Sequence, residues 1–247
     1  MTGQGSASLS PLLEGIELVV FDKDGTLIDF HAMWGAWALE LGRRLDGATR
    51  RPVAGDVFAA IGFDPVNNRV RSGAPLAVAT NAAVAETIAA VVRRWCPSVA
   101  AARRAVETAW FDPDPVTTAV SLADLPALFG ELQASGRRIA VATTDDRGPT
   151  EATLRALGIR EAVSAIVCGD DDVGVKPQPD MLLAICATVG IQPDRTAMIG
   201  DTPADLAMGR AAAAGRVIGV LSGVGERDDL APLADAILGS VAELVEA

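Results

Sequence analysis

Histidine occurs once in this 247-residue chain, at His31, and cysteine only at Cys96, Cys168 and Cys186. The single histidine removes Ser-His-Asp triads and multi-histidine metal sites together. An odd number of widely spaced cysteines implies neither a disulfide framework nor a zinc knuckle, and a reduced, cytoplasmic setting is the simplest expectation. Positive charge is scarce as well: 21 Lys+Arg stand against 32 Asp+Glu, for a net charge of −11. Nucleic-acid phosphates would be repelled over most of such a surface, so no nucleic-acid partner is expected. An anionic small substrate would need a local cation to receive it. No apolar run approaches the ~20 residues that span a bilayer, so no membrane partner is expected either. The N-terminal MTGQGSASLSPLLEGIE lacks a basic start and an apolar core, and no signal peptide is expected there.

What is present is a globular composition, 50% hydrophobic and 21% charged, enough for one large domain or a domain with a sizeable insertion. Short apolar runs at 17–21, 138–143, 163–168, 196–199 and 216–221 read as strands. Helical patterns with clear start and stop signals separate the later ones: Ser121 to Gly136, Gly148-Pro149 to Gly158, Lys176-Pro177 to Gly190, and Thr202-Pro203 to Gly215. Such alternation predicts an α/β fold, a Rossmann-like parallel sheet with helices on both faces. Residues 30–112 break the rhythm with alanine- and leucine-rich helical patterns near 32–46, 52–61, 80–94 and 98–111. They read as an inserted all-α cap, leaving 1–29 and 113–247 as the α/β core.

The run VVFDKDGTLID, residues 19–29, ends a buried strand on two carboxylates, Asp22 and Asp24. Three further stretches end strands or open helices on the same side of the expected sheet. They are IAVATTDD, ending on Thr143-Thr144; GVKPQPD, carrying Lys176; and MIGDTPADLAMG, with Asp201 and Asp205. In an open parallel sheet the C-terminal ends of the strands line the ligand crevice, so all four are expected to converge there.

These motifs, in this order, resemble those of the haloacid dehalogenase superfamily, in the subfamily with a helical cap after the first motif, and most closely its phosphoglycolate-phosphatase-like members. The resemblance implies a phosphatase acting on a small phosphorylated metabolite, 2-phosphoglycolate or a sugar phosphate, with Mg²⁺ held by Asp22, the Asp24 backbone carbonyl and Asp201. The chemistry suits the residues. A carboxylate at Asp22 can attack phosphorus and form an aspartyl-phosphate. Asp24 can protonate the leaving alkoxide and then activate the hydrolytic water. Lys176 would add a fixed positive charge, while Thr143, Thr144 and neighbouring backbone N–H groups would hold phosphoryl oxygens. Asp205 falls at N3 after Thr202 and Pro203, the partner position of a capping box, and is expected to stand behind the metal ligands.

Other readings compete. Dehalogenase-like members lack the second aspartate of the first motif, and Asp24 is present. Mutases of the β-phosphoglucomutase type carry a histidine twelve residues after the nucleophile and a glutamate before the last motif's aspartate, where this chain has Trp34 and Gly200. A catalytically silent phosphoester-binding protein would be expected to have lost Asp22, Asp24 or Lys176. No GxGxxG follows the first strand, against a dinucleotide site. Trp34, Trp37, Leu41 and Leu45 form one helical stripe and read as cap packing. The triple aspartate 170–172 reads as a solvated loop. His31, just after Asp29-Phe30, could touch substrate or be an N-terminal helix residue with no role, and Arg69 or Arg71, in the loop-like NNRVRSG, could grip a substrate carboxylate or second anionic group.

Overall fold

The computed structural model describes residues 8, 9 and 11–246, so residues 1–7 and 10 of the N-terminal stretch read as lacking a signal peptide lie outside the described residues. A short ladder, β1 (Ser8–Leu9) with β10 (Val245–Glu246), joins the chain ends. The central strand β2 (Leu18–Phe21) is followed by a helical insertion of α1 (Phe30–Thr49), α2 (Ala54–Ile61), α3 (Pro75–Val78), α4 (Asn81–Val92) and α5 (Val99–Ala109). Then come α6 (Pro115–Thr118), α7 (Leu125–Ala134), β5 (Arg138–Ala142), α8 (Arg147–Ala156), β6 (Ala165–Val167) and α9 (Asp180–Val189). The chain continues through β7 (Thr196–Gly200), α10 (Pro203–Ala211), β8 (Arg216–Val220), α11 (Arg227–Leu230) and β9 (Ala236–Leu238).

The main sheet has the order β6-β5-β2-β7-β8-β9 and is parallel throughout. All four residues of β2 are buried, as a strand covered on both faces requires. Alternation sorts them: Val19 and Phe21 pack with Leu125, Phe129 and Leu154 of α7 and α8, while Leu18 and Val20 pack with Met181, Ile185 and Met208 of α9 and α10. The chain runs from β2 outward through β5 and β6, then returns to β7 on the other side of β2. The crevice at this reversal of direction is where ligands of such sheets bind.

The insertion has its own apolar cluster, in which Met33, Trp34, Trp37, Leu41 and Leu45 of α1 pack with Val57, Ile61, Val84, Ile88, Ala102 and Val106. The stripe expected at 34, 37, 41 and 45 is buried along its length. Asp29 caps α1, its side chain accepting from the Ala32 N–H, and the Trp37 indole donates to the Phe111 carbonyl at 2.8 Å, tying α1 to the chain that leaves the insertion. The insertion is not wholly α: β3 (Phe63–Asp64) and β4 (Arg69–Val70) form a two-stranded antiparallel ribbon, its second strand within the stretch 67–73 expected to be loop. A further difference is β9, a sixth sheet strand of three half-buried residues whose brevity and mixed composition hid it. No described helix is long and apolar enough to cross a membrane.

Candidate active site

Strand register sets the site. Phe21 pairs with Val141 on one side and Ile199 on the other, so Asp22, Thr143 and Asp201 leave adjacent strands within one residue of each other. The Asp22 N–H donates to the Ile199 carbonyl at 2.8 Å, which holds the first turn beyond β2 against β7. Lys176 reaches this point from the segment before α9, placing Nζ 2.5 Å from Asp22 Oδ1 and 2.5 Å from Asp205 Oδ1. Asp22, Asp201 and Asp205 each offer a carboxylate oxygen, all within 4.8 Å of one another, and all three residues are buried.

Each carboxylate is fixed by local structure. Asp205 completes the capping box of α10: its Oδ2 accepts from the Thr202 N–H at 2.9 Å, and its own N–H donates to Thr202 Oγ1 at 3.2 Å. Asp201 accepts from the Thr26 hydroxyl at 3.2 Å and from the Val224 N–H at 2.8 Å. Gly25 sits at φ +93 with no room for a side chain, since a Cβ there would lie 2.5 Å from Asp201 Oδ2. The loop 221–225 closes over the same carboxylate from the other side.

Asp24 takes part in a different network. Its Oδ1 accepts from the Trp34 indole N–H at 3.0 Å, and its Oδ2 lies 2.6 Å from Lys23 Nζ. Lys23 is fully buried and also pairs with Asp145 Oδ2 at 3.1 Å. Asp145 Oδ1 accepts from the Asn81 side-chain amide at 2.6 Å, and the Asp145 N–H donates to Thr143 Oγ1 at 3.2 Å. Two helices of the insertion, α1 through Trp34 and α4 through Asn81, thus grip the carboxylates beside the crevice. Trp34 does more than pack, and Lys23, Asn81 and Asp145 are additions to the expected set. The signals were a lysine between two aspartates and the first carboxylate of TTDD.

Burial dominates the electrostatics. It pushes the Asp22 carboxyl up to about 7, with Lys176 opposing and Asp205 and Asp24 adding to the rise. Burial likewise lifts Asp201 well above the ordinary carboxylate range, helped by Asp22 and Asp205. Burial would lower Lys176, but Asp205 and Asp22 outweigh it and its pKa rises. Lys23 is raised the same way, by Asp24 and Asp145. Three buried carboxylates thus share one ammonium. An uncompensated carboxylate is costly out of water, and the surplus of hard oxygen donors suits a hard divalent cation such as Mg²⁺.

The crevice is lined by Asp22, Asp24, Thr143, Thr144, Lys176 and Asp205 from the sheet side, so the expected site residues come together, with Asp201 buried just behind. Its volume is about 30 Å³, since the insertion lies directly over it. His31, Arg69 and Arg71 go elsewhere. They line a second cleft, against residues 221 and 223–226 beyond the end of β8, that shares no residue with the first. The triple aspartate is ordered: Asp170 accepts from the Arg147 N–H at 2.9 Å at the start of α8, and Asp171 pairs with the Arg147 guanidinium at 2.5 Å.

Comparison with known proteins agrees with this arrangement. The haloacid dehalogenase-like hydrolase family matches residues 16–213. A phosphoglycolate phosphatase of Rhodospirillum rubrum is 33% identical over 194 residues, spanning 78% of this chain and 75% of that protein. Among solved structures, a predicted phosphoglycolate phosphatase from Haemophilus somnus superposes with a TM-score of 0.66 at 16% identity, covering 93% of this chain and 96% of that one. A putative β-phosphoglucomutase from Thermotoga maritima gives 0.64 at 17% identity over the same shares; at these identities both likenesses establish the fold. The chain belongs to the haloacid dehalogenase-like hydrolases and is a phosphatase of their phosphoglycolate-phosphatase-like group.

Proposed function

We propose that the protein hydrolyses a small phosphate monoester through an aspartyl-phosphate on Asp22, with Mg²⁺ as cofactor. The observation that carries the reading is Asp22 at the C-terminal end of the central strand, its Oδ1 held by Lys176 at 2.5 Å. With Oδ1 so held, Oδ2 is the oxygen assigned to attack. It forms the new P–O bond as the bond to the leaving alkoxide breaks, and Asp24 gives the alkoxide a proton. Asp24 then takes a proton from the water that attacks phosphorus, releasing inorganic phosphate and restoring Asp22. Lys176, the Thr143 and Thr144 hydroxyls and nearby backbone N–H groups receive the phosphoryl oxygens.

The carboxylates of Asp22 and Asp201, with the Asp24 backbone carbonyl, would hold the cation, and Asp205 stands close enough to join or to orient its water. Bound there, the cation neutralises the charge that the phosphoryl group brings among carboxylates. Residues 30–112 act as a cap on the core formed by 1–29 and 113–247, and close the crevice during attack. Hydrolysis is assigned over phosphoryl transfer between sugars because Trp34 and Gly200 stand where mutase-type members carry histidine and glutamate. A side chain at 200 would run into Asp205.

Asp22→Asn keeps the shape of the side chain and removes the nucleophile. It should lower p-nitrophenyl phosphate turnover by ~10³-fold or more while the thermal melt stays cooperative. Wild-type protein with Mg²⁺ should bind beryllofluoride at Asp22, and the variant should not. Turnover of the variant within tenfold of wild type would end the covalent mechanism.

A further inference from the structure

The expected anion-gripping residues, Arg69 and Arg71, do not reach the crevice, and what stands in their place sets the substrate. The insertion side of the crevice is formed by Trp34, Leu76, Val78 and Val84, with Asn81 as its polar side chain. Among the described residues, Lys176 is the one cation on the lining, and Asp22 and Asp205 already take it at 2.5 Å each. Lys23 is sealed behind Asp24 and Asp145. The Asn81 amide is committed to Asp145. The insertion side chains that face a leaving group in this crevice are therefore mainly aliphatic and aromatic, with no cation among them.

We propose that the substrate is the phosphate monoester of a small, largely apolar alcohol carrying no second negative charge, so that 2-phosphoglycolate and sugar phosphates are poor substrates. This rests on the assignment of the crevice as a phosphatase site. The physical reason is desolvation. A carboxylate two atoms from the ester oxygen would leave water for a wall without a counter-charge, beside a cluster already rich in carboxylates. Leaving-group hydroxyls would lose their water partners without replacement. A methylene gains instead, by roughly fourfold in kcat/KM for each one fully buried.

The test compares three esters of similar size with Mg²⁺: propyl phosphate, 2-hydroxyethyl phosphate and 2-phosphoglycolate, with p-nitrophenyl phosphate measured on the same preparation. The kcat/KM values should fall in that order, with propyl phosphate ~10²-fold above 2-phosphoglycolate. A cation placed on the wall by Val78→Lys, or at the neighbouring Leu76→Arg, should raise the ratio of 2-phosphoglycolate to propyl phosphate at least tenfold in whichever variant folds. If p-nitrophenyl phosphate turns over but 2-phosphoglycolate equals or exceeds propyl phosphate in the wild type, the apolar-substrate inference is overturned and the phosphatase reading survives. An unchanged ratio in folded variants also overturns it, because the leaving group then does not rest on that wall. Failure of every ester, p-nitrophenyl phosphate included, would sink the phosphatase reading and this inference with it.

Discussion

Asp22, Asp201 and Asp205 hold more negative charge than Lys176 can balance, and this makes stability depend on pH and on metal. The folded Asp22 carboxyl is pushed up to about 7 from an ordinary 3.8 by burial, against the pull of Lys176, and Asp201 moves the same way. Between roughly pH 4 and 7 the folded protein therefore holds protons that the unfolded chain has released. The folded state is then favoured at the acidic end of that window, and its stability falls as pH rises through it, by on the order of a few kcal/mol. A divalent cation at the carboxylates would offset the loss. In EDTA, Tm should fall from pH 5 to pH 8, and the gain in Tm on adding Mg²⁺ should grow over the same range, reaching ~5 °C or more. A Mg²⁺ effect on Tm that is flat with pH would show that the ion does not bind to these carboxylates.

At the level of elements, the contacts of α1 and α4 with Asp24 and Asp145 join the insertion to the chemistry. Asn81 opens α4, with Thr80 as its N-cap accepting from the Ala83 N–H, so its amide is carried at a rigid helix start. Asn81→Ala removes one charge-assisted hydrogen bond to Asp145, a loss of about 1.5–3 kcal/mol if the bond is made only on closure. The expected result is a kcat about tenfold lower with Tm nearly unchanged. A purely structural role would instead lower Tm and leave kcat intact. This link was illegible in the sequence, because Asn81 and Asp145 meet across 64 positions, and although Asp145 lies in TTDD, Asn81 lies in no motif that would pair it there. By contrast Asp22, Thr143 and Asp201 were legible, since each follows an apolar run and strand direction brings them together, and Lys176 was legible in the KP stretch that precedes α9. Arg69 and Arg71, candidates for an anion grip, line another cleft, because composition marks a loop without saying which cleft its side chains face.

At the scale of the whole molecule, the crevice is narrow and is overlaid by Trp34, Leu76, Val78, Asn81 and Val84 of the insertion. If the insertion acts as a cap, it would lift to admit substrate, turning on the chain at about 29–31 and 112–118. A second tie between insertion and core lies on the far side of the crevice, where the Ser72 hydroxyl donates to Asp229 Oδ2 at 3.0 Å. Fixing that tie should hold the crevice shut. In a Cys96→Ser background, which removes the one free thiol that is not buried, Ser72→Cys with Asp229→Cys can be bridged by a short cleavable bismaleimide. Turnover of every ester should fall at least tenfold on cross-linking and return on cleavage, while the uncross-linked double variant behaves as the background does. Full turnover in the bridged protein would mean that substrate reaches Asp22 without movement of residues 30–112, and the insertion would then be a fixed wall of the site.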